Sequence, residues 1–174
     1  MNRMRFVARI EDLSSPEVQG LVAEHLRGMH ANSPACHVNA LAIEGLRRPD
    51  ITFWSVWSGE SLCGCGALKA LGPASGEIKS MRTRAPHLRQ GLGQFMLDEI
   101  IRTAETRGYE RLYLETGTGF AFEPAHALYL KNGFTWCGAF GDYVDTDFNV
   151  FMEKNLRHGP ARAAEQTHAA SRNT

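Results

Sequence analysis

Apolar positions along the chain change their spacing at a few points, and each change predicts an element. Between Met4 and Ile10, Phe6, Ala8 and Ile10 recur every second residue, the period of a strand. Ser15-Pro16-Glu17 then reads as N-cap, first helical residue and favourable first-turn acid. Val18, Leu21, Val22, His25, Leu26 and Met29 follow at helical spacing, which predicts a helix running to about His30. A shorter helix is expected over Asn39 to Arg47, with Leu41 and Leu46 turned inward. Ile51–Trp57, Leu62–Leu71 and Glu77–Thr83 are strand-forming runs separated by Gly-rich turns, a three-strand meander. The period returns to helical at Leu92, Phe95, Met96, Ile100, Ile101 and Ala104, and Arg107-Gly108 is a left-handed stop. Arg111–Glu115 predicts a strand and Pro124 opens a helix that Asn132-Gly133 ends. Phe134–Cys137 and Val150–Lys154 read as closing strands, joined by a loop carrying Asp142, Asp145 and Asp147 that is expected to be solvated.

A length of 174 residues suits one domain, placed at 1–156; the remaining 157–174 lack a large apolar side chain and are expected to form a disordered or loosely attached tail. Nineteen basic residues balance nineteen acidic ones, which removes the electrostatic footprint of a nucleic-acid or membrane-surface binder. No apolar run approaches the roughly 18 residues of a membrane helix, and the N-terminus has no signal-peptide pattern, so the cytoplasm is the expected address. Cys63 and Cys65 stand two apart in a strand and are expected to share a face. With Cys36 and Cys137 scattered, the spacing does not suit a metal site, and small buried thiols are expected instead.

The chemistry concentrates between Glu77 and Phe134. There a strand leads through Arg89-Gln90-Gly91-Leu92-Gly93 into a helix, and a second helix ends in Leu128-Tyr129-x-x-x-Gly133-Phe134. Two glycines at a helix start let a pyrophosphate approach the backbone, where first-turn N–H groups and the helix dipole favour negative charge. The pattern lacks the third glycine of a dinucleotide fingerprint, because Met96 holds that place, and no P-loop lysine follows.

This order of elements, with Leu88-Arg89-Gln90-Gly91-Leu92-Gly93 before the long helix and Leu128-Tyr129 with Gly133-Phe134 closing the next, resembles the GNAT superfamily of N-acetyltransferases. Glu77–Thr83, Glu115-Thr116-Gly117 and Phe122-Glu123-Pro124-Ala125 look like a bacterial small-molecule branch of it. The resemblance implies an α/β GNAT fold, a mixed twisted sheet of about six to seven strands with splayed central strands and flanking helices. It also implies acetyl-CoA as cosubstrate without a metal. Met81, Arg82 and Thr83 would pair with the pantetheine arm, while Arg89, Gln90, Gly91, Leu92, Gly93 and Gln94 would surround the pyrophosphate. Two positions depart from the family pattern: Leu88 stands where Gln or Arg usually opens the loop, and Phe122 where Asn is frequent.

Tyr129 would protonate the departing CoA thiolate, or else it packs helix on sheet. Glu77 and Glu115 compete as the carboxylate that deprotonates the amine; Glu77 also reads as a solvated strand-start residue, and Glu115 as a structural acceptor. Arg82 suits either a carboxylate on the acceptor or a CoA phosphate, and it shares a face with Ser80 unless a bulge intervenes. His30, His37, Trp54, Trp57 and Phe122 are candidate walls of the acceptor pocket, with the tryptophans divided between pocket and core. The expected reaction is direct acetyl transfer to a small-molecule amine, an amino acid or other carboxylated amine among them. The competing readings are a non-catalytic acyl-CoA sensor and a protein acetyltransferase. Many GNAT enzymes pair, which leaves a homodimer open.

Overall fold

The computed structural model describes residues 6–34 and 40–157. Its elements follow the predicted order. They are β1 (Phe6–Ile10), α1 (Pro16–Asn32), α2 (Ile43–Leu46), β2 (Ile51–Ser58), β3 (Ser61–Gly72), β4 (Ser75–Thr83), α3 (Leu92–Thr106), β5 (Arg111–Gly117), α4 (Glu123–Lys131), β6 (Thr135–Cys137) and β7 (Asn149–Asn155). Two 3₁₀ turns, Ala85–His87 and Phe120–Phe122, precede α3 and α4. The seven strands form one sheet in the order β1-β2-β3-β4-β5-β7-β6, antiparallel except for the parallel pair β4–β5. This is the α/β GNAT fold. No helix among the described residues is long and apolar enough to cross a membrane.

The core lies in two layers. On one face α3 and α4 pack Leu92, Met96, Leu97, Ile100 and Tyr129 against Ile78, Leu112, Leu114 and Met152. On the other, α1 and α2 pack Val18, Leu21, Val22 and Leu46 against Phe53, Leu62, Cys65 and Ala67. Ser15 holds the N-cap position of α1 without a side-chain cap bond, so Pro16 and Glu17 carry the helix start. The short second helix shrinks to Ile43–Leu46; Asn39, Cys36 and His37 lie outside the described residues, as does 158–174 of the expected tail.

Two register shifts overturn face assignments made from spacing alone. Between Val56 and Trp57 the β2–β3 register slips, leaving Cys63 as an extra residue on β3. Cys63 therefore enters the α3 layer while Cys65 enters the α1 layer, and they do not share a face. A second shift lies between β3 and β4: Cys65 faces Arg82 and Ala67 faces Lys79, so Gly66 stands against both Ser80 and Met81. Ser80 takes φ 53° at that bulge, which breaks the alternation that would have aligned it with Arg82.

Candidate active site

The parallel ladder between β4 and β5 runs from Ser75 opposite Arg111 to Ile78 opposite Leu114, and stops there. Beyond it β4 continues along β3 and β5 along β7, so Lys79–Thr83 and Glu115–Gly117 flank a gap. Two cavities open at this gap. An outer one of about 530 Å³ is lined by Met81, Arg82, Thr83, Arg89, Gly91, Leu92, Gly93 and Gln94, with His87 and Lys131 at its rim. An inner one of about 130 Å³ has Lys79 and Ser80 on β4, Glu115 and Thr116 on β5, His25 and Met29 on α1, and Phe122. Met81, Ala125 and Tyr129 border both.

One wall of the outer cavity is a left-handed turn that leads into a helix start. Arg89 and Gly91 both take positive φ, 59° and 86°, and turn the chain into α3 with Gly91 as N-cap. A left-handed turn at a helix start exposes backbone N–H groups that have no partner within the helix. Gly93 leaves that surface low: the nearest atom to a Cβ there is Leu128 Cδ2 at 3.4 Å. Gln94 and Asn132 exchange two amide bonds of 2.8 and 2.9 Å, which tie the start of α3 to the end of α4. Gln90 is the one loop residue directed elsewhere; its Nε2 donates to Pro86 O at 2.9 Å.

Tyr129 is 5% exposed, and its ring meets Phe134 edge-on at 5.4 Å. Burial pushes its phenol well above the ordinary value, so the hydroxyl keeps its proton throughout the neutral range. Phe122 closes over Gly117 and leaves no room there for a side chain. His126 Nε2, 3.0 Å from Gly117 O, fastens α4 to the same strand end.

Five catalytic or acceptor-site candidates among the described residues fall outside the inner cavity: Glu77, Trp54, His30, Trp57 and Arg82. Glu77 is 1% exposed rather than solvated, and it lines a separate cavity with Lys69, Phe140, Asp142 and Tyr143. Lys79 Nζ donates to Glu77 Oε1 at 2.8 Å and to the Tyr143 hydroxyl at 2.7 Å, and that hydroxyl donates in turn to Glu77. Burial and the Glu77 charge both raise the Tyr143 pKa, which keeps it a donor. Thus the loop expected to be solvated holds its aspartates exposed but packs Tyr143 against Phe151 of β7. Glu77→Gln strands a buried ammonium, so it is expected to lower unfolding free energy by about 3 kcal/mol, read from urea midpoints. A change below about 1 kcal/mol would mean that the pair contributes little.

Trp54 is 2% exposed in the core of the α3 layer, and His30 is exposed on α1 away from both cavities. Trp57 bonds Ser55 Oγ at 2.7 Å and lies under Arg9. Arg82 borders the outer cavity, not the inner one; its Nη2 donates to Glu24 at 3.1 Å, and Glu24 also pairs with Arg84 at 3.4 Å. α1 thereby occupies the guanidinium that spacing had offered to an acceptor carboxylate.

His25 is the wall residue that the sequence concealed, because its spacing matches the apolar face of α1. Burial, reinforced by the Arg82 charge, lowers its pKa from 6.5 to about 4. The folded chain refuses a proton that the unfolded chain accepts between those values, so stability falls as pH drops through that window. The loss is on the order of 3 kcal/mol. His25→Gln is expected to lose correspondingly less stability between pH 7 and pH 4.5, measured by urea unfolding. Equal losses in both proteins would rule this contribution out.

Residues 18–134 match the model of the acetyltransferase (GNAT) family. The chain belongs to this family. It is 53% identical over 148 residues to the uncharacterized N-acetyltransferase YsnE of Bacillus subtilis (strain 168), covering 85% of this chain and 98% of that protein. It is 49% identical over 151 residues to the uncharacterized N-acetyltransferase YedL of Escherichia coli (strain K12), covering 87% and 95%. Among solved structures, a GNAT family acetyltransferase from Elizabethkingia anophelis with acetyl-CoA bound superposes with a TM-score of 0.61 at 14% identity, covering 89% of this chain and 99% of that one. As a GNAT protein the chain is an acetyl-CoA-dependent N-acetyltransferase.

Proposed function

We propose that this GNAT enzyme moves the acetyl group of acetyl-CoA to a primary amine of a small molecule by direct attack in a ternary complex. The observation that carries the reading is Tyr129, a buried phenol on the boundary between the outer cavity and the smaller inner one. The outer cavity would take the CoA pyrophosphate on the N–H groups of Gly91–Gln94, with the pantetheine arm along Met81–Thr83. The amine would enter the inner cavity, whose volume of about 130 Å³ suits a small group better than a broad peptide surface.

Glu115 supports the role of base better than Glu77, because Glu115 lines the cavity that Tyr129 borders. The amine nitrogen attacks the thioester carbonyl carbon and forms the C–N bond. The C–S bond then breaks with its electron pair on sulfur. The thiolate takes the Tyr129 proton, and the proton surrendered by nitrogen passes to Glu115. The acceptor need not carry a carboxylate for Arg82, since Glu24 already holds that guanidinium.

Thiol release from acetyl-CoA, measured with and without a pool of amino acids, amino sugars and polyamines, tests the reading. Amine-dependent release is expected. Tight acetyl-CoA binding without release under any amine would favour the sensor reading instead.

A further inference from the structure

His25 enters the transfer reaction derived above at no step, yet it lines the inner cavity from α1. It is 8% exposed, and burial and the Arg82 charge account for its lowered pKa, with no hydrogen bond contributing from the described residues. Among those residues, three side-chain polar atoms are sealed from water without a partner, on Ser80, Arg82 and His87; neither ring nitrogen of His25 is one of them. The edge of the imidazole is therefore open, and the inner cavity is the opening that it lines. The ring is uncharged at neutral pH, so it presents one N–H donor and one lone-pair acceptor. A side chain of that kind, buried and left to be bonded from a cavity, suits a ligand contact.

The rest of the lining narrows what that ligand group can be. Glu115 brings a carboxylate from β5, and Lys79 is the one cation among the described lining residues, its charge answered by Glu77 at 2.8 Å. Arg82 lies outside this cavity and pairs with Glu24. A carboxylate on the acceptor would be desolvated near Glu115 with no cation left to balance it. A hydroxyl carries no charge, and it donates and accepts as the imidazole does. Met29, Ile78 and Phe122 supply apolar wall, and about 130 Å³ is room for roughly four waters, the size of a short-chain amine.

We infer that His25 selects the acceptor by hydrogen-bonding an uncharged hydroxyl carried on the same small amine whose nitrogen faces Glu115. This assignment rests on the acetyl-transfer reading and makes short amino alcohols, rather than amino acids, the acceptor class. The contact forms on binding and no proton moves through it.

The test compares three acceptors with the same amine-bearing carbon: alaninol, sec-butylamine, which has a methyl in place of the hydroxyl, and alanine, which has a carboxylate. With thiol release from acetyl-CoA as readout, wild-type kcat/KM is expected to be about 10-fold higher for alaninol than for either of the others. In His25→Leu, which suits the apolar face of α1, the KM for alaninol should rise about 10-fold while that for sec-butylamine stays unchanged. His25→Gln, which retains a donor and an acceptor, should restore part of the preference. The wild-type comparison and His25→Gln decide the matter even without a folded His25→Leu. Equal wild-type kcat/KM for alaninol and sec-butylamine, a preference for alanine, or an equal loss for all three acceptors in the variants overturns the His25 assignment and leaves the transfer reading intact. So does turnover of other amines with none of these three. A wild type that shows no amine-dependent thiol release with any amine overturns both.

Discussion

Tyr129→Phe is expected to lower kcat by about 10²–10⁴-fold while leaving acetyl-CoA affinity almost unchanged. The substitution keeps the ring that packs edge-on against Phe134, and therefore most of the burial in the α3–α4 layer. What it removes is the proton that the outer and inner cavities share. The loss should sit toward the low end of that range, because a thiol with a pKa near 8.5 is a tolerable leaving group without help. Burial raises the phenol's own pKa, so the wild-type kcat should show no alkaline descent from this group below pH 10. A purely structural tyrosine gives the opposite pattern, a shift in Tm with nearly normal turnover. Retention of more than half of kcat, with chemistry rate-limiting, would defeat the assignment.

Gly93→Val should raise the Kd for acetyl-CoA by roughly 10²-fold or more, by displacing two charge-assisted contacts worth about 1.5–3 kcal/mol each. The fold has room for the change, since only Leu128 Cδ2 approaches a Cβ at this site, at 3.4 Å. The added methyls project where a pyrophosphate would meet the first turn of α3. Gly91 would be a poorer probe, because its φ of 86° makes any side chain strain the loop itself. A folded Gly93→Val protein that binds acetyl-CoA as tightly as the wild type would remove the phosphate-cradle role from Arg89–Gln94.

The sequence was most informative where signals are local. Period, turn residues and the two glycines at Gly91 and Gly93 located nearly every element within two or three residues, and the family resemblance supplied the topology. Signals that depend on pairing between strands left no trace. The bulges at Cys63 and Ser80 arise from register, which nothing in a single strand encodes. Glu77 looked like a general base because its partners are invisible locally: Lys79 is two residues away but Tyr143 is 66 away, in a loop that composition labelled as solvent-facing. The sequence left Arg82 open between an acceptor carboxylate and a CoA contact for the same reason, its carboxylate partner standing 58 residues upstream on α1. Trp54 illustrates a different limit, since an aromatic in a central strand reads identically as core or pocket until the opposing helix is placed.

The slip that separates Cys63 from Cys65 gives the molecule two independent reporters. Each thiol is buried, one beneath α3 and one beneath α1, and burial raises both pKa values, that of Cys65 to about 12. A thiol-specific reagent added to the native protein must therefore wait for a layer to lift before it reacts. The rate at which Cys65 is labelled clocks the opening of the α1 side; that of Cys63 clocks the opening of the α3 side. Cys65 also borders the outer cavity, so acetyl-CoA bound there is expected to slow the first clock more than the second. Two cysteines separated by a single residue thus turn an accident of register into a way of timing each half of the sheet separately.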